Sequence, residues 1–573
     1  MGIAMQAKAT GTSEEADFVK ASDEYLDQVY FNYQPTLGTQ TGYHQYDMKL
    51  ENYSRANIEH EVKALKAYEK RIAAIPATPD VMSLSVRGDR ALVLSNIRSR
   101  LLDIETIRMW EKDPDGYSGT AANAAFTIME RRYSPVDERL RSLVARERQM
   151  PALFAEARAN LKNPPRIYTG IALEQLPGII RFFEKDVPLA FADAKDKSLQ
   201  KEFEQSNGSV IAALKSYQSW LKSDLLPRSH GDFRIGAETF AKKLEYDEMV
   251  DTPLDQLLEI GWADLKKNQE HFNRIAKELE PNKDPSAVLE ELGTDHPVPD
   301  QLLASFRATF TSLESFIRSR HILTIPSDVQ PILEETPPFM RATTFASMDT
   351  PGPFEKSGTA AYFNVTLPDP SMTPAEVEGF MHSFNIGTII STSVHEAYPG
   401  HYVQFLWVPK APSRVRKLLG ANTNAEGWAH YCEQMMLDEG YGQPGAGAKD
   451  AREAKFLRLG QLQDALLRDA RFIVGIEMHT SKMSFDQAVE FFQKEGYQSR
   501  ETALVETKRG TSDATYLYYT LGKLEILKLR DDVKKKQGAA FSLEKFHDEF
   551  LSQGFPPIKI VREAMLGDDS PAL

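Results

Sequence analysis

Apolar residues recur at spacings of three and four along most of this chain, and this pattern constrains its fold more than any other feature. A clear case is the stretch from Leu254 to Phe272. Such spacing places apolar side chains on one face of an α-helix. Strand signals are sparse, and the best is residues 361–367, which Pro368 ends. The sequence therefore predicts a mostly α protein with a small β element.

Composition narrows the class of protein and of partner. Hydrophobic residues make up 42% of the 573 residues and charged residues 26%, which is typical of globular proteins. The net charge of −14 argues against nucleic acid or an anionic membrane as the main partner. No apolar run approaches the length of about 18 residues that a membrane span needs, so none is expected. The oligomeric state stays open.

The N-terminus and the organisation of the chain suggest three parts. Residues 1–20 are expected to be flexible, and Ala4 to Ala7 resembles the end of a signal peptide. We therefore expect an exported protein, periplasmic or extracellular, with a cytoplasmic one as the alternative. A soft boundary near residue 330 separates an N-terminal helical lobe, 21–330, from a catalytic lobe, 331–573. We expect both to pack as one body, because no Gly/Ser linker joins them.

The chemistry is concentrated in the run from His395 to His401. A His-Glu pair followed by a second His is typical of zinc sites in which the glutamate, here Glu396, activates water. The usual motif spaces the histidines four apart, whereas here they are six apart, with Pro399 and Gly400 between them. On a regular helix the two imidazoles would diverge by about 240°. A shared metal therefore requires a bulge or break at the Pro-Gly pair.

A third ligand is expected from a second motif downstream. The only cysteine, Cys432, excludes a cysteine-based zinc site, so His and acidic residues must bind the metal. Glu426, His430 and Glu433 share one face of a predicted helix. Glu426 is our choice, with His430 and Glu433 as supporting residues or rival ligands. Two His and one Glu suit Zn²⁺ and leave one position open for water.

These two motifs resemble the bacterial family catalogued as domain of unknown function 885 (DUF885). The likeness extends over roughly residues 25–565. It implies zinc at His395, His401 and Glu426, with Glu396 as general base. It also implies a large two-lobed, zincin-like helical body with a deep cleft. His430 departs from the family pattern, where leucine or a similar residue is common, and this keeps the choice of third ligand open.

Hydrolysis also needs a donor for the oxyanion of the tetrahedral intermediate. Tyr516, Arg471 and His479 are the candidate catalytic residues for this role. Tyr518 and Tyr519 are alternatives to Tyr516. Ordinary packing is the competing interpretation for each tyrosine.

Substrate binding is predicted at two places. The strand that contains Tyr362 and Asn364 could pair with an extended peptide through its edge, unless it is only a buried core strand. Arg468 could hold a substrate carboxylate, unless it pairs with Asp464 or Asp469.

The most direct functional hypothesis is a zinc metallopeptidase that cleaves short peptides, because a deep helical cleft would exclude folded proteins. The first alternative is a zinc amidohydrolase acting on a non-peptide amide. The second is a non-catalytic binding protein with a vestigial metal site. Glu396 argues against the second alternative, since metal binding alone does not need that carboxylate.

Overall fold

The computed structural model describes residues 12–336, 341 and 345–573, and these are mostly helical, as predicted. The longer helices of the first half are Ser13–Tyr25, Arg55–Ala73, Leu84–Leu102, Pro114–Glu130, Val136–Glu147, Met150–Asn160, Arg166–Arg181, Lys197–Trp220, Ala237–Glu248 and Leu254–Leu279. Those that follow are Pro285–Gly293, Leu302–Arg320, Pro374–Met381, Ile386–Glu396, His401–Trp407, Asn422–Asp438, Ala451–His479, Phe485–Lys494, Arg500–Ser512, Tyr518–Gln537, Leu543–Leu551 and Ile558–Leu566. None of the described helices is both long and apolar enough to cross a membrane.

A small sheet lies beside these helices. Its strands are β1 (Ile332–Glu335), β2 (Ala346–Asp349) and β3 (Tyr362–Val365), in the order β1-β3-β2. The predicted strand thus exists as β3, but it is the middle strand, parallel to β1 and antiparallel to β2. Both of its edges are paired, so the prediction that β3 offers an edge to a peptide is wrong.

The hydrophobic cores do not divide at residue 330. Helix Leu254–Leu279 packs along helix Ala451–His479 and shares a core cluster with it. Helix Leu302–Arg320 belongs to the same cluster as Trp428. A separate cluster is built entirely from residues between Leu50 and Leu225. One core cluster is thus confined to residues 50–225, whereas several others join segments from both sides of residue 330. The division into two lobes stays a prediction.

The start of the chain is more ordered than expected. Thr12 caps helix Ser13–Tyr25 by accepting a hydrogen bond from the backbone N–H of Glu15. Phe18 and Tyr25 of this helix are buried. Residues 13–20 are therefore not a flexible start, and the predicted signal-peptide remnant lies outside the described residues.

Candidate metal centre

The helix that carries His395 ends one residue later, and the next begins at His401. The Tyr398–Pro399 peptide bond is cis. Gly400 donates a backbone hydrogen bond of 2.9 Å to the Val394 carbonyl, which folds the chain tightly back on the helix end. A Cβ on Gly400 would lie 1.7 Å from the His395 carbonyl oxygen, so only glycine fits. This break brings the two imidazoles together, with ring centroids 4.9 Å apart.

Helix Asn422–Asp438 brings Glu426 to the same point. It crosses helix Tyr518–Gln537 at two glycines, where a Cβ on Gly427 would lie 2.6 Å from the Gly522 Cα atom. The indole N–H of Trp428 donates a 3.0 Å hydrogen bond to the Pro399 carbonyl. Gly427 therefore sets how closely this helix approaches helix Tyr518–Gln537, and Trp428 links it to the segment between His395 and His401.

The three predicted ligands converge. Oε2 of Glu426 lies 3.3 Å from Nε2 of His395 and 3.4 Å from Nε2 of His401. One donor atom from each residue lies within 4.8 Å of the other two. Donors about 2.1 Å from an ion at the centre of a tetrahedron are about 3.4 Å apart. The spacing and the donor types thus fit Zn²⁺. We refer to His395, His401 and Glu426 as the candidate triad.

A buried carboxylate orients His395 from behind. Nδ1 of His395 lies 2.6 Å from Oε1 of Glu433, so the Nδ1 proton is donated there and Nε2 is left to face Glu426. Arg468 pairs with the same Glu433 oxygen at 3.0 Å, and Nδ1 of His430 lies 3.1 Å from the other oxygen. His430 and Glu433 therefore support the triad from behind, and Glu426 is the residue that faces both histidines.

The surroundings shift two histidine pKa values in opposite directions. Burial lowers the pKa of His395, but its hydrogen bonds with Glu426 and Glu433 outweigh this effect and raise the pKa to about 10. Burial lowers the pKa of His430 to about 3. In the absence of a metal ion His395 is thus a cation between two carboxylates, and a metal must displace its proton.

Glu396 lies beside the triad without belonging to it. Its Oε2 accepts a 3.1 Å hydrogen bond from the backbone N–H of Met348 in β2. Its other oxygen makes no hydrogen bond within the described part of the chain. Because β2 is an edge strand, this contact holds the carboxylate at the open edge of the sheet. One carboxylate oxygen remains available for proton transfer.

A cavity of about 780 Å³ adjoins this edge. Met348, Tyr402 and Phe405 line it, and the Phe405 ring centroid is 6.5 Å from that of His401. The opposite wall comes from the N-terminal half and includes Glu130 and Arg131. The cavity is therefore large enough for a small organic ligand. Neither Glu396 nor the triad lines it directly; Met348, whose N–H binds Glu396, connects the two.

The three predicted oxyanion residues are engaged elsewhere. Tyr516 is fully buried, and its hydroxyl packs against Gly510. Arg471 donates two hydrogen bonds, of 2.6 and 2.8 Å, to the carboxylate of Glu506. His479 is buried, with Nε2 at 2.7 Å from the Gly510 carbonyl. Neighbouring groups occupy or enclose the polar atoms of Tyr516, Arg471 and His479, and none of their described contacts is with the triad, so their catalytic roles stay predictions.

The predicted substrate-binding residues are also committed to the fold. Arg468 pairs with Glu433 and is not free to hold a substrate carboxylate. Asn364 is buried in β3. Tyr362 lies in the same paired strand, and its ring packs near the Arg131 guanidinium, 6.0 Å from the centroid. The structure thus places Arg468 and Asn364 in buried contacts and Tyr362 half-buried beside Arg131, and substrate binding by these three residues stays a prediction.

Tyr519 is the tyrosine that reaches the triad. Its ring stacks near that of His395, with 6.3 Å between centroids. Its hydroxyl accepts a 3.2 Å hydrogen bond from Arg509. Burial and the nearby Glu426 carboxylate raise the pKa of Tyr519, so its hydroxyl keeps its proton at neutral pH. Sequence reasoning named this residue only as an alternative, since three tyrosines in one short segment look equivalent until their packing is known.

Comparisons with known proteins agree with this fold and leave the chemistry open. Residues 35–565 match the family described as "Bacterial protein of unknown function (DUF885)". The chain has no match among curated proteins. A proposed lipoprotein of unknown function from Shewanella oneidensis is similar in structure, with 27% identity, a TM-score of 0.79, and coverage of 96% of this chain and 99% of that one.

A second solved structure has a similar fold, but its sequence identity is too low to support more than the fold. It is a proposed lipoprotein from Colwellia psychrerythraea with 17% identity and a TM-score of 0.80. The likeness covers 97% of this chain and 98% of that one.

Proposed function

The chain belongs to the bacterial DUF885 family, whose function is unknown, and from its site we propose that it is a zinc-dependent metallopeptidase that cleaves short peptides. One observation carries this proposal. Two imidazoles and one carboxylate converge at tetrahedral spacing, while Glu396 lies beside them, outside the ligand set and with a free oxygen. A site that only binds metal does not need this additional carboxylate.

The residues divide the chemistry between them. A bound zinc ion would supply Lewis acidity toward a water molecule and the scissile carbonyl. Glu396, held by the Met348 N–H, takes a proton from the attacking water and returns it to the leaving amine. Tyr519 keeps its phenolic proton and donates a hydrogen bond to the developing oxyanion. Glu433 fixes the tautomer of His395 throughout.

The cavity lined by Met348 favours short peptides as substrates. Its volume of about 780 Å³ lies in the usual range for small-molecule sites and is too small for a folded protein. An extended peptide can pair with the outer edge of β2, where Met348 already points its N–H toward Glu396. Because residues from both halves of the chain line the cavity, we also propose that the cavity is part of the cleft between the two lobes of a zincin-like body.

Glu396→Gln tests the catalytic assignment. The variant should keep its zinc, because Glu396 is not a ligand. Its rate of cleavage of a peptide library should fall by a factor of about a hundred or more. Glu59→Gln, on an exposed helix face, is the matched control and should behave as the wild type. Zinc-loaded Glu396→Gln that cleaves peptides at the wild-type rate would exclude the mechanism. Wild-type protein that hydrolyses a panel of non-peptide amides but no peptide would point to an amidohydrolase.

We also propose that the protein is exported. The similar structure from Shewanella oneidensis is described as a proposed lipoprotein, and lipoproteins are carried across the inner membrane before they are anchored. Fractionation of the source bacterium followed by immunoblotting should place the protein in the periplasmic or envelope fraction. Recovery with a cytoplasmic marker enzyme would contradict export without affecting the proposed chemistry.

A further inference from the structure

We propose that His296, Glu378 and His382 form a second site for a divalent metal ion, separate from the candidate triad. His296 lies between helix Pro285–Gly293 and the turn Pro299–Gln301. Glu378 lies in helix Pro374–Met381, and His382 follows directly in the next turn. The inference does not depend on the proposed peptidase activity.

The donor atoms of this group are arranged like those of the triad. Oε1 of Glu378 lies 3.3 Å from Nε2 of His296 and 3.7 Å from Nε2 of His382. All three donor atoms lie within 4.8 Å of one another. These distances are close to the edge of a tetrahedron around a zinc ion, about 3.4 Å.

The tautomer of His296 is set for metal binding. Its Nδ1 lies 2.9 Å from the Pro297 carbonyl oxygen, which can only accept a hydrogen bond. The Nδ1 proton is therefore donated to the backbone. Nε2 faces the Glu378 carboxylate, so without an ion it donates its proton there, and a bound ion would take the place of that proton. Metal-binding histidines in proteins are commonly oriented by a hydrogen bond of this kind.

The backbone holds both halves of the site in place. The N–H of Ile386 donates a 2.9 Å hydrogen bond to the Asp295 carbonyl, next to His296. A Cβ on Gly293 would lie 3.2 Å from Nδ1 of His382, so this imidazole packs directly on the segment that leads to His296. Glu378 and His382 are four residues apart in a helical segment and so point to one side. Thr373 begins this segment with a capping box.

The position of this site favours a structural role. The Glu378 and His382 side chains are 62% and 40% exposed, so the ion would lie at the surface. The helix after His382 is Ile386–Glu396, which carries His395 and Glu396 at its other end. An ion here would clamp the segment around His296 to the start of that helix. Two imidazoles and a carboxylate suit Zn²⁺, whereas Mg²⁺ and Ca²⁺ prefer oxygen ligands.

Zinc stoichiometry of the intact chain tests the second site. After dialysis against buffered ZnCl₂, the wild type should hold two zinc ions per chain. His296→Ala/His382→Ala should hold one and keep the hydrolytic activity, and Glu378→Gln should also lose occupancy of this site. His395→Ala/His401→Ala should hold one and lose activity. His60→Ala/His230→Ala removes two exposed histidines elsewhere and should hold two.

The outcomes separate this site from the peptidase site. Equal zinc content in wild type and His296→Ala/His382→Ala would overturn the second site. A single zinc that is lost only in His395→Ala/His401→Ala would do the same, while supporting the triad. A single zinc that is lost only in His296→Ala/His382→Ala would support the second site and remove the basis of the peptidase proposal. Circular dichroism of each variant in EDTA verifies that its fold is intact.

Discussion

Glu433 contributes to the candidate centre only through other side chains. It contacts Nδ1 of His395 and neutralises Arg468, both in a buried environment. A motif search cannot identify this role, because the partner arginine lies 35 residues further along the chain. The sequence predicts Glu433 on the same helix face as Glu426, and both contact His395. Their roles differ because Glu426 faces Nε2 of His395 whereas Glu433 faces Nδ1.

Glu433→Gln should weaken zinc binding about 10- to 100-fold, because the amide orients His395 less firmly than the carboxylate does. Competition with a chromophoric chelator measures the affinity. Glu61→Gln is the matched control, since it also breaks the pair of a buried glutamate with an arginine, Arg100, among the N-terminal helices. It should reduce stability and leave zinc affinity unchanged. Equal zinc affinity in Glu433→Gln and the wild type would contradict the supporting role.

Tyr519→Phe tests the oxyanion role by removing one hydroxyl from beside the triad. We expect kcat to fall about a hundredfold with little change in KM, because the hydrogen bond strengthens only as charge develops. Steady-state kinetics on the best library peptide would show this. Tyr518→Phe is the control, because that hydroxyl donates to Asp513. If both variants lose the same small fraction of kcat, Tyr519 contributes only packing.

At the scale of elements, local signals were read correctly and pairings between distant segments were not. Pro399 and Gly400 predicted a break between the histidines, and one helix ends at Glu396 while the next begins at His401. Residues 361–367 predicted a strand, yet nothing in them states that β1 and β2 cover both edges. Strand position within a sheet is set by partners elsewhere in the chain, so a single stretch cannot reveal it.

The crossing of helices Asn422–Asp438 and Tyr518–Gln537 gives a prediction at this scale. A Cβ on Gly522 would lie 1.9 Å from the Thr423 carbonyl oxygen, three residues before Glu426. Gly522→Ala should therefore push the helices apart, with a loss of about 1–3 kcal/mol in stability and weaker zinc binding. Gly208→Ala, in a helix with open space around it, is the control and should be neutral or stabilising. Unchanged zinc affinity in Gly522→Ala would show that Glu426 tolerates the shift.

For the whole molecule, several core clusters join segments from both sides of the boundary predicted near residue 330. Val415, Leu419 and Ile560 belong to a core cluster that is otherwise built from residues 18–104. The N-terminal helices therefore share a core with the segment between His401 and Glu426 and with Ile560 near the end of the chain. The boundary was placed where the predicted strand and the chemical motifs begin, and these carry no record of which distant helices bury the same surface. This shared core makes the two halves depend on each other for stability.

A buried ion pair across this shared core should show that dependence. Asp89, in helix Leu84–Leu102, binds Nε of Arg416 at 2.5 Å, and both side chains are buried. Asp89→Ala leaves the guanidinium buried without a counter-charge, so we expect a loss of about 3–5 kcal/mol in the free energy of unfolding. Arg98 lies on the same helix as Asp89 and forms an exposed pair with Glu69 of helix Arg55–Ala73. Arg98→Ala should cost at most about 1 kcal/mol. Denaturant titration followed by tryptophan fluorescence gives both values. Because Arg416 lies ten residues before Glu426, Asp89→Ala should also lower zinc retention near its unfolding midpoint. If Asp89→Ala and Arg98→Ala lose similar amounts of unfolding free energy, the two halves are held together mainly by apolar contacts.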